Sequence, residues 1–223
     1  MKGNSYFARK LHSLVGLIPL GAFFVVHALA NFQAFERGPE GFQKAVGFIN
    51  GMPLIFVLEF VLIYIPLLFH GIYGLYVAYQ SNSNLGRFKY SRNWAFTAQR
   101  ITGVITFVFV FWHVYQTRFQ VYLGIVSHEE LGSTMHLIST STFYFIVYVI
   151  GVLAASFHFA NGVWAFLISW GITVGERAQK LSARICMIVF VVIALLFILS
   201  LVAFRGEEFS ETAHTLSVLR SLF

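Results

Sequence analysis

Five apolar stretches constrain this chain more than any other feature. They read as 12–34, 54–79, 97–121, 142–170 and 181–204, and a helix crosses the hydrocarbon core of a bilayer with about 20 such residues. A soluble fold of 223 residues has no interior large enough to hide five of them. Charged residues make up only 11% of the chain, well below the share of about 25% found in soluble domains, and the mean hydropathy is +0.75. The membrane is therefore the solvent, and the expected fold class is all-α, an integral membrane five-helix bundle.

Breakers close the spans: Glu36-Arg37-Gly38-Pro39, Gly51-Met52-Pro53, Ser81-Asn82-Ser83-Asn84, Ser127-His128-Glu129-Glu130 and Gly175-Glu176-Arg177. Pro19 and Pro66 fall inside spans, where membrane helices tolerate a kink. Lys2, Arg9 and Lys10 before an apolar run ending Ala28-Leu29-Ala30 imitate a signal peptide. The segment is read here as a retained first membrane helix. Residues 1–204 are expected to form one membrane domain. The remaining 205–223 form a tail in which Phe209, Ala213, Leu216, Leu219 and Phe223 keep helical spacing, predicting a short surface helix.

The net charge of +6 does not point to nucleic acid, because the basic residues gather at span ends rather than in one stripe. With the N-terminus inside, the cytoplasmic face holds Lys2, Arg9, Lys10, Arg87, Lys89, Arg92, Arg100, Arg177, Lys180 and Arg184. The outer face holds only Arg37, Lys44, Arg118, Arg205 and Arg220. That asymmetry predicts a cytoplasmic N-terminus and an outer C-terminus. The single cysteine, Cys186, excludes an internal disulfide, and without a C-x-x-C-H motif there is no covalent haem attachment.

Each of the first four spans carries one histidine: His27, His70, His113 and His158. An ionisable side chain within hydrocarbon is a functional hypothesis by default, although any one of them alone could be a neutral ring bonded to a neighbouring carbonyl. Depth sorts them. The first and third helices run outward, and His27 and His113 lie about 15 residues along, about 22 Å at 1.5 Å per residue, in the outer half. The second and fourth run inward, which puts His70 and His158 in the inner half. Two bis-histidine haems stacked across a membrane require this arrangement.

An old duplication fits the spacing, with 43 residues from His27 to His70 and 45 from His113 to His158. His70-Gly71-Ile72-Tyr73-Gly74 parallels His158-Phe159-Ala160-Asn161-Gly162. Gly74 and Gly162, four residues after their histidines, share the ligand's helix face, where a flat macrocycle needs the backbone close. Tight helix packing is the competing explanation of these glycines, and the four histidines favour the macrocycle. His12, beside Ser13 at the cytoplasmic start of the first span, is read as a hydrogen-bond donor to a haem propionate or an interface residue. His128, His136 and His214 are expected to be solvated surface.

These residues resemble one family. Arg9-Lys10-Leu11-His12-Ser13-Leu14-Val15-Gly16, Phe69-His70-Gly71-Ile72-Tyr73-Gly74, Gln99-Arg100-Ile101-Thr102-Gly103 with His113, and Phe157-His158-Phe159-Ala160-Asn161-Gly162 are similar to the diheme cytochrome b membrane anchors of succinate:menaquinone oxidoreductase and fumarate reductase. The likeness covers roughly residues 5–204 and is to the single-subunit, five-helix form, nearest the Gram-positive type. It is weakest in the outer loop 123–141 and the tail. The resemblance implies an outer haem b on His27 and His113 and an inner haem b on His70 and His158, with Arg100 among the cofactor-binding residues. It also implies a bacterial cytoplasmic membrane location and two cytoplasmic partners. These are a flavoprotein with FAD at the succinate or fumarate site and an iron–sulfur protein, which exchange electrons with menaquinone through this chain. Some family members carry a helix-five glutamate linked to proton movement, and 181–204 contains no Asp or Glu.

A quinone would then bind near the outer haem, around Asn31, Gln33, Glu59, Gln116 and Arg118. The amides and guanidinium supply donors to quinone carbonyls, and Glu59 can exchange protons as the catalytic acid. A purely structural role for Glu59, as partner of Arg118 or Arg37, stands beside that reading. A bc-type cytochrome needs two ligands on each of two helices, and the third span offers only His113. The anchor of another quinone-linked dehydrogenase, or a proton-relaying transporter, remains the alternative, although transporters more often show broken helices and several buried acids.

Overall fold

The computed structural model describes residues 2–82 and 85–210, with side chains from Tyr6 onward. Every regular element among the described residues is helical: α1 (Lys2–Leu17), α2 (Pro19–Asn50), α3 (Ile55–Glu59), a π-helical turn (Phe60–Tyr64), α4 (Ile65–Tyr79), α5 (Ser91–Gln116), α6 (Arg118–Tyr122), α7 (Leu131–Thr140), α8 (Thr142–Ser169), α9 (Glu176–Ala203) and a 3-10 turn (Glu207–Phe209). Among the described residues five spans are long and apolar enough to cross a membrane: Tyr6–Asn50, Ile55–Tyr79, Ser91–Tyr122, Thr142–Ser169 and Glu176–Ala203. Their large side chains are mostly turned outward. Along the second span Phe56, Val57, Leu58, Phe60, Val61, Leu62, Ile65, Leu68 and Ile72 are all exposed, a continuous apolar surface that only lipid or another protein can cover. The chain is a multi-pass, all-α membrane protein.

The first helical segment does not stop where its breakers stand. Helix α2 continues to Asn50 through a kink at Gly38 (φ 64°, ψ −156°), a left-handed φ that side chains with a Cβ avoid. Pro39 opens the second leg, where its missing N–H costs nothing. At Pro66 the backbone solves the lost donor differently. The turn before it widens to i→i−5 bonding, with the Ile65 N–H donating to the Phe60 carbonyl, as π-bulges do within otherwise regular helices.

Among the described residues two compact units emerge from the packing, one within 1–25, 56–107 and 153–193 and the other within 26–55, 108–152 and 194–223. In the first, α1 packs on α4, and glycines admit aromatic rings: a Cβ at Gly21 would lie 2.7 Å from the Phe159 ring. The second has a core of Ala34, Phe42, Met135, Ile138, Tyr148, Leu201, Phe204 and Phe209. Phe209, expected to begin a surface helix, is instead buried on the 3-10 turn, its ring 5.1 Å from that of Phe204. The rest of the predicted tail helix, 211–223, with His214, lies outside the described residues.

The reading of His136 as solvated surface is corrected. The segment read as part of an outer loop holds α7, whose Gly132, Ser133, Thr134, Met135, His136, Ile138 and Ser139 are buried. The His136 Nδ1–H donates to the Phe204 carbonyl at 2.9 Å. Small and hydroxylated residues let this helix approach its neighbours closely, and its polarity disguised it as a loop. His128 is half-buried, its Nδ1 3.2 Å from an Arg118 guanidinium nitrogen.

Candidate functional site

In the first unit α4 and α8 bring His70 and His158 together, with ring centroids 6.1 Å apart and ring planes at 84°. The His70 Nδ1–H donates to the His12 carbonyl at 3.0 Å, and the His158 Nδ1 lies 3.1 Å from the Gln99 carbonyl. A carbonyl can only accept, so each contact calls for hydrogen on Nδ1 and leaves Nε2 with its lone pair, the state in which imidazole ligates metal. The Gln99 side chain braces the second ring. Its Nε2, 3.1 Å from His158 Nδ1, donates to the His158 carbonyl at 3.0 Å, and its Oε1 accepts from Asn161 at 2.7 Å.

One local device holds both rings. His12 and Gln99, whose carbonyls accept, are each followed four residues later by a glycine, Gly16 and Gly103. A helical carbonyl already takes the N–H of residue i+4 but has a second lone pair, and the absent Cβ at i+4 opens that side to the imidazole. A Cβ at Gly103 would come within 2.8 Å of His158 Cε1, and one at Gly16 would overlap the His70 ring. Sequence reasoning singled out Gly74 and Gly162 instead. A Cβ there would meet His12 Nε2 at 3.1 Å and Gln99 Nε2 at 3.4 Å, so they make room for residues supporting the rings. The signal for Gly16 and Gly103 was present in the repeated acceptor-x-x-x-Gly spacing.

His12 stacks on His70, centroids 4.1 Å apart and planes within 3°. Its Nε2 is buried with no hydrogen-bond partner, as is Nε of Arg100. Arg100 otherwise donates to the Phe96 carbonyl at 2.7 Å and lies over the Phe96 ring. Ser13 donates to the Lys10 carbonyl at 2.9 Å and accepts from Trp170 Nε1 at 3.0 Å.

In the second unit α2 and α5 bring His27 and His113 together, centroids 5.8 Å apart and planes at 67°. His113 Nδ1 lies 3.3 Å from the Tyr148 hydroxyl, which donates to Gln116 Oε1 at 3.1 Å. Tyr148 was not foreseen from sequence, since a tyrosine in an apolar span carries no positional signal. Asn31 donates to the His27 carbonyl at 2.9 Å and sits 3.4 Å from both nitrogens of that ring. Gln116 lines a cavity of about 240 Å³ with Trp112, Tyr115, Gln120, Ile138 and Tyr144.

The remaining residues expected around a quinone each have a local setting of their own. Gln33 donates to Glu36 at 2.9 Å, and Arg118 donates to Asn50 Oδ1 at 2.8 Å. Glu59, half-buried at the junction of α3 and the π-turn, belongs to the first unit, whereas Asn31, Gln33, Gln116 and Arg118 belong to the second.

The histidine pairs suit haem. An imidazole nitrogen bonds a metal at about 2 Å, so two rings on opposite sides of one iron have centroids about 6 Å apart, against 5.8 Å and 6.1 Å here. Among the described residues no group of three or more His, Cys, Asp or Glu converges on a metal position, and paired imidazoles are the donor set a bis-histidine macrocycle needs. Unpartnered nitrogens on His12 and Arg100 match the anionic edge of such a group.

Fold and site together define a polytopic helical membrane protein with two half-buried histidine pairs, each the donor set that a bis-histidine redox group would use. Residues 78–203 match the model of a family described as the succinate dehydrogenase/fumarate reductase transmembrane subunit. The chain is also 40% identical over 205 residues to the succinate dehydrogenase cytochrome b558 subunit of Bacillus subtilis (strain 168), an alignment covering 92% of this chain and 100% of that relative. It belongs to this family, as a cytochrome b-type membrane subunit of a succinate dehydrogenase/fumarate reductase complex.

Proposed function

We propose that this chain carries electrons between an iron–sulfur partner on the cytoplasmic side and menaquinone near the outer face of a bacterial cytoplasmic membrane, holding two haems b. His70 and His158 would hold the inner haem and His27 and His113 the outer one. Haem b bound by these pairs would supply one-electron chemistry. The observation that carries the reading is the pair of centroid separations, 6.1 Å and 5.8 Å, combined with Nδ1 contacts at His70, His158 and His113 that leave Nε2 for the metal.

The protein's own residues have distinct tasks. The carbonyls of His12 and Gln99 orient the inner imidazoles, and Gly16 and Gly103 make space for them. His12 and Arg100 would bind propionates, with Ser13 bracing the same end and Gly74 and Gly162 keeping the neighbouring faces open. In the outer half, Gln116 and its cavity would receive the quinone ring. Asn31, Gln33 and Arg118 are further donors on that side, and Glu59 would deliver or take the protons that quinone reduction or oxidation requires. Residues 1–204 are the membrane domain, the N-terminus is cytoplasmic, and a flavoprotein with FAD completes the complex beyond the iron–sulfur subunit.

The test is haem stoichiometry with a reduced-minus-oxidised spectrum of the intact complex. Two b haems per chain are expected. His70→Ala should leave one haem, with the spectrum of the other little changed. A single haem in the unsubstituted chain, or two haems surviving His70→Ala, would overturn the assignment.

A further inference from the structure

We infer that Tyr148 is a positioning residue for His113: its hydroxyl, anchored on Gln116, fixes the tautomer of the imidazole and so the electron density that Nε2 presents to a bound metal. The inference rests on reading His27 and His113 as an axial pair.

The direction of the hydrogen bonds carries it. A tyrosine hydroxyl has one hydrogen and two lone pairs. At Tyr148 the hydrogen goes to Gln116 Oε1 at 3.1 Å, so His113 Nδ1, 3.3 Å away, meets a lone pair and must itself carry hydrogen. Nε2 is then bare. The phenol ring is held beside His113, because Tyr148 is only 3% exposed and its ring stands perpendicular to Phe109 at 5.2 Å.

This support differs in kind from that of the inner pair. His70 and His158 rest on main-chain carbonyls, which have no alternative conformation within a helix. His113 rests on two side chains in series, and the far one, Gln116, lines the 240 Å³ cavity with Trp112, Tyr115, Gln120 and Tyr144. A hydrogen-bonding occupant of that cavity that engages Gln116 therefore acts on His113 through Tyr148. An acceptor on the distal N–H of a ligating histidine raises the ligand's basicity, which favours the more positively charged metal. Weakening the relay should raise the reduction potential at that site.

The test uses the intact complex and a redox titration that follows both haems by absorbance, with low-spin EPR as a second signature. Tyr148→Phe keeps the ring and its packing on Phe109, and should raise the midpoint of the His27/His113 haem while leaving the other in place. Gln116→Leu leaves the phenol but removes its anchor, and should shift the same midpoint in the same direction by less. His113→Ala separates the two readings. Two haems surviving it would refute the axial assignment itself. Loss of one haem there, with both midpoints and EPR signals unmoved in Tyr148→Phe and Gln116→Leu, would overturn the relay alone. Parallel shifts of both haems would also overturn it, as general loosening. If Tyr148→Phe loses the outer haem, Gln116→Leu decides.

Discussion

The paired imidazoles of His70 and His158 are held by what is missing beside them as much as by what is bonded to them. At Gly103 a single methyl group would intrude to 2.8 Å of His158 Cε1, and at Gly16 it would overlap His70. Gly103→Ala should therefore displace the imidazole at an overpacking cost of about 1–3 kcal/mol. On the proposed two-haem reading, haem content should fall from two toward one per chain, with the survivor carrying the spectrum of the proposed His27/His113 haem. Gly162→Ala, whose Cβ would meet only Gln99 Nε2 at 3.4 Å, should retain both haems. Equal losses in the two variants would remove Gly103 from any special role. At this scale the sequence was legible where chemistry is unusual for its surroundings: four histidines in hydrocarbon stand out at once. It was illegible where the partner is main chain, because a carbonyl belongs to every residue. Only the repeated spacing of His12/Gly16 and Gln99/Gly103 marks which carbonyls are used.

Among the elements, the apolar spans were read closely and the connections were not. Hydropathy finds a segment that must face lipid, and five such segments are found among the described residues. It does not find α7, Leu131–Thr140, whose buried face is built from Gly132, Ser133, Thr134 and Ser139. Nor does it see α2 running on to Asn50 past Gly38 and Pro39, since a glycine–proline pair ends a helix as readily as it bends one. The anchoring bond of α7 is that from His136 to the Phe204 carbonyl, 2.9 Å long with both residues buried. His136→Leu keeps an apolar side chain of similar bulk but strands that carbonyl, a loss of about 1–3 kcal/mol. The thermal midpoint in detergent should fall, whereas a solvated surface histidine would tolerate the change within about 0.5 kcal/mol.

For the molecule as a whole, the family was legible because its signature combines ligands, glycines and basic span ends in one order, and the comparisons agree with that reading. The face proposed as cytoplasmic is argued from charge. Arg87, Lys89 and Arg92 lie before the third span and Arg177 and Lys180 open the fifth, all of them exposed. The structure ties the two segments together, with Arg92 donating to Gln179 Oε1 at 2.9 Å and Trp164 Nε1 to the Gln179 carbonyl at 3.0 Å. Lys180 is paired with Glu176 at 2.7 Å, leaving Arg87, Lys89 and Arg177 as the better candidates for an acidic partner surface. The positive-inside rule would place these charges without any docking role, so the experiment has to separate assembly from topology. Arg87→Glu with Lys89→Glu should weaken co-purification of the iron–sulfur and flavoprotein subunits by roughly tenfold, more steeply as salt rises, if these charges contribute about 1.4 kcal/mol to docking. Both haems should stay in place, and labelling of cysteines introduced into the loops should report unchanged orientation. Normal assembly with unchanged topology would reduce the basic cluster to a topology signal. Inverted labelling would show that the charges set the orientation, and the docking claim would then have to be tested by neutral substitutions.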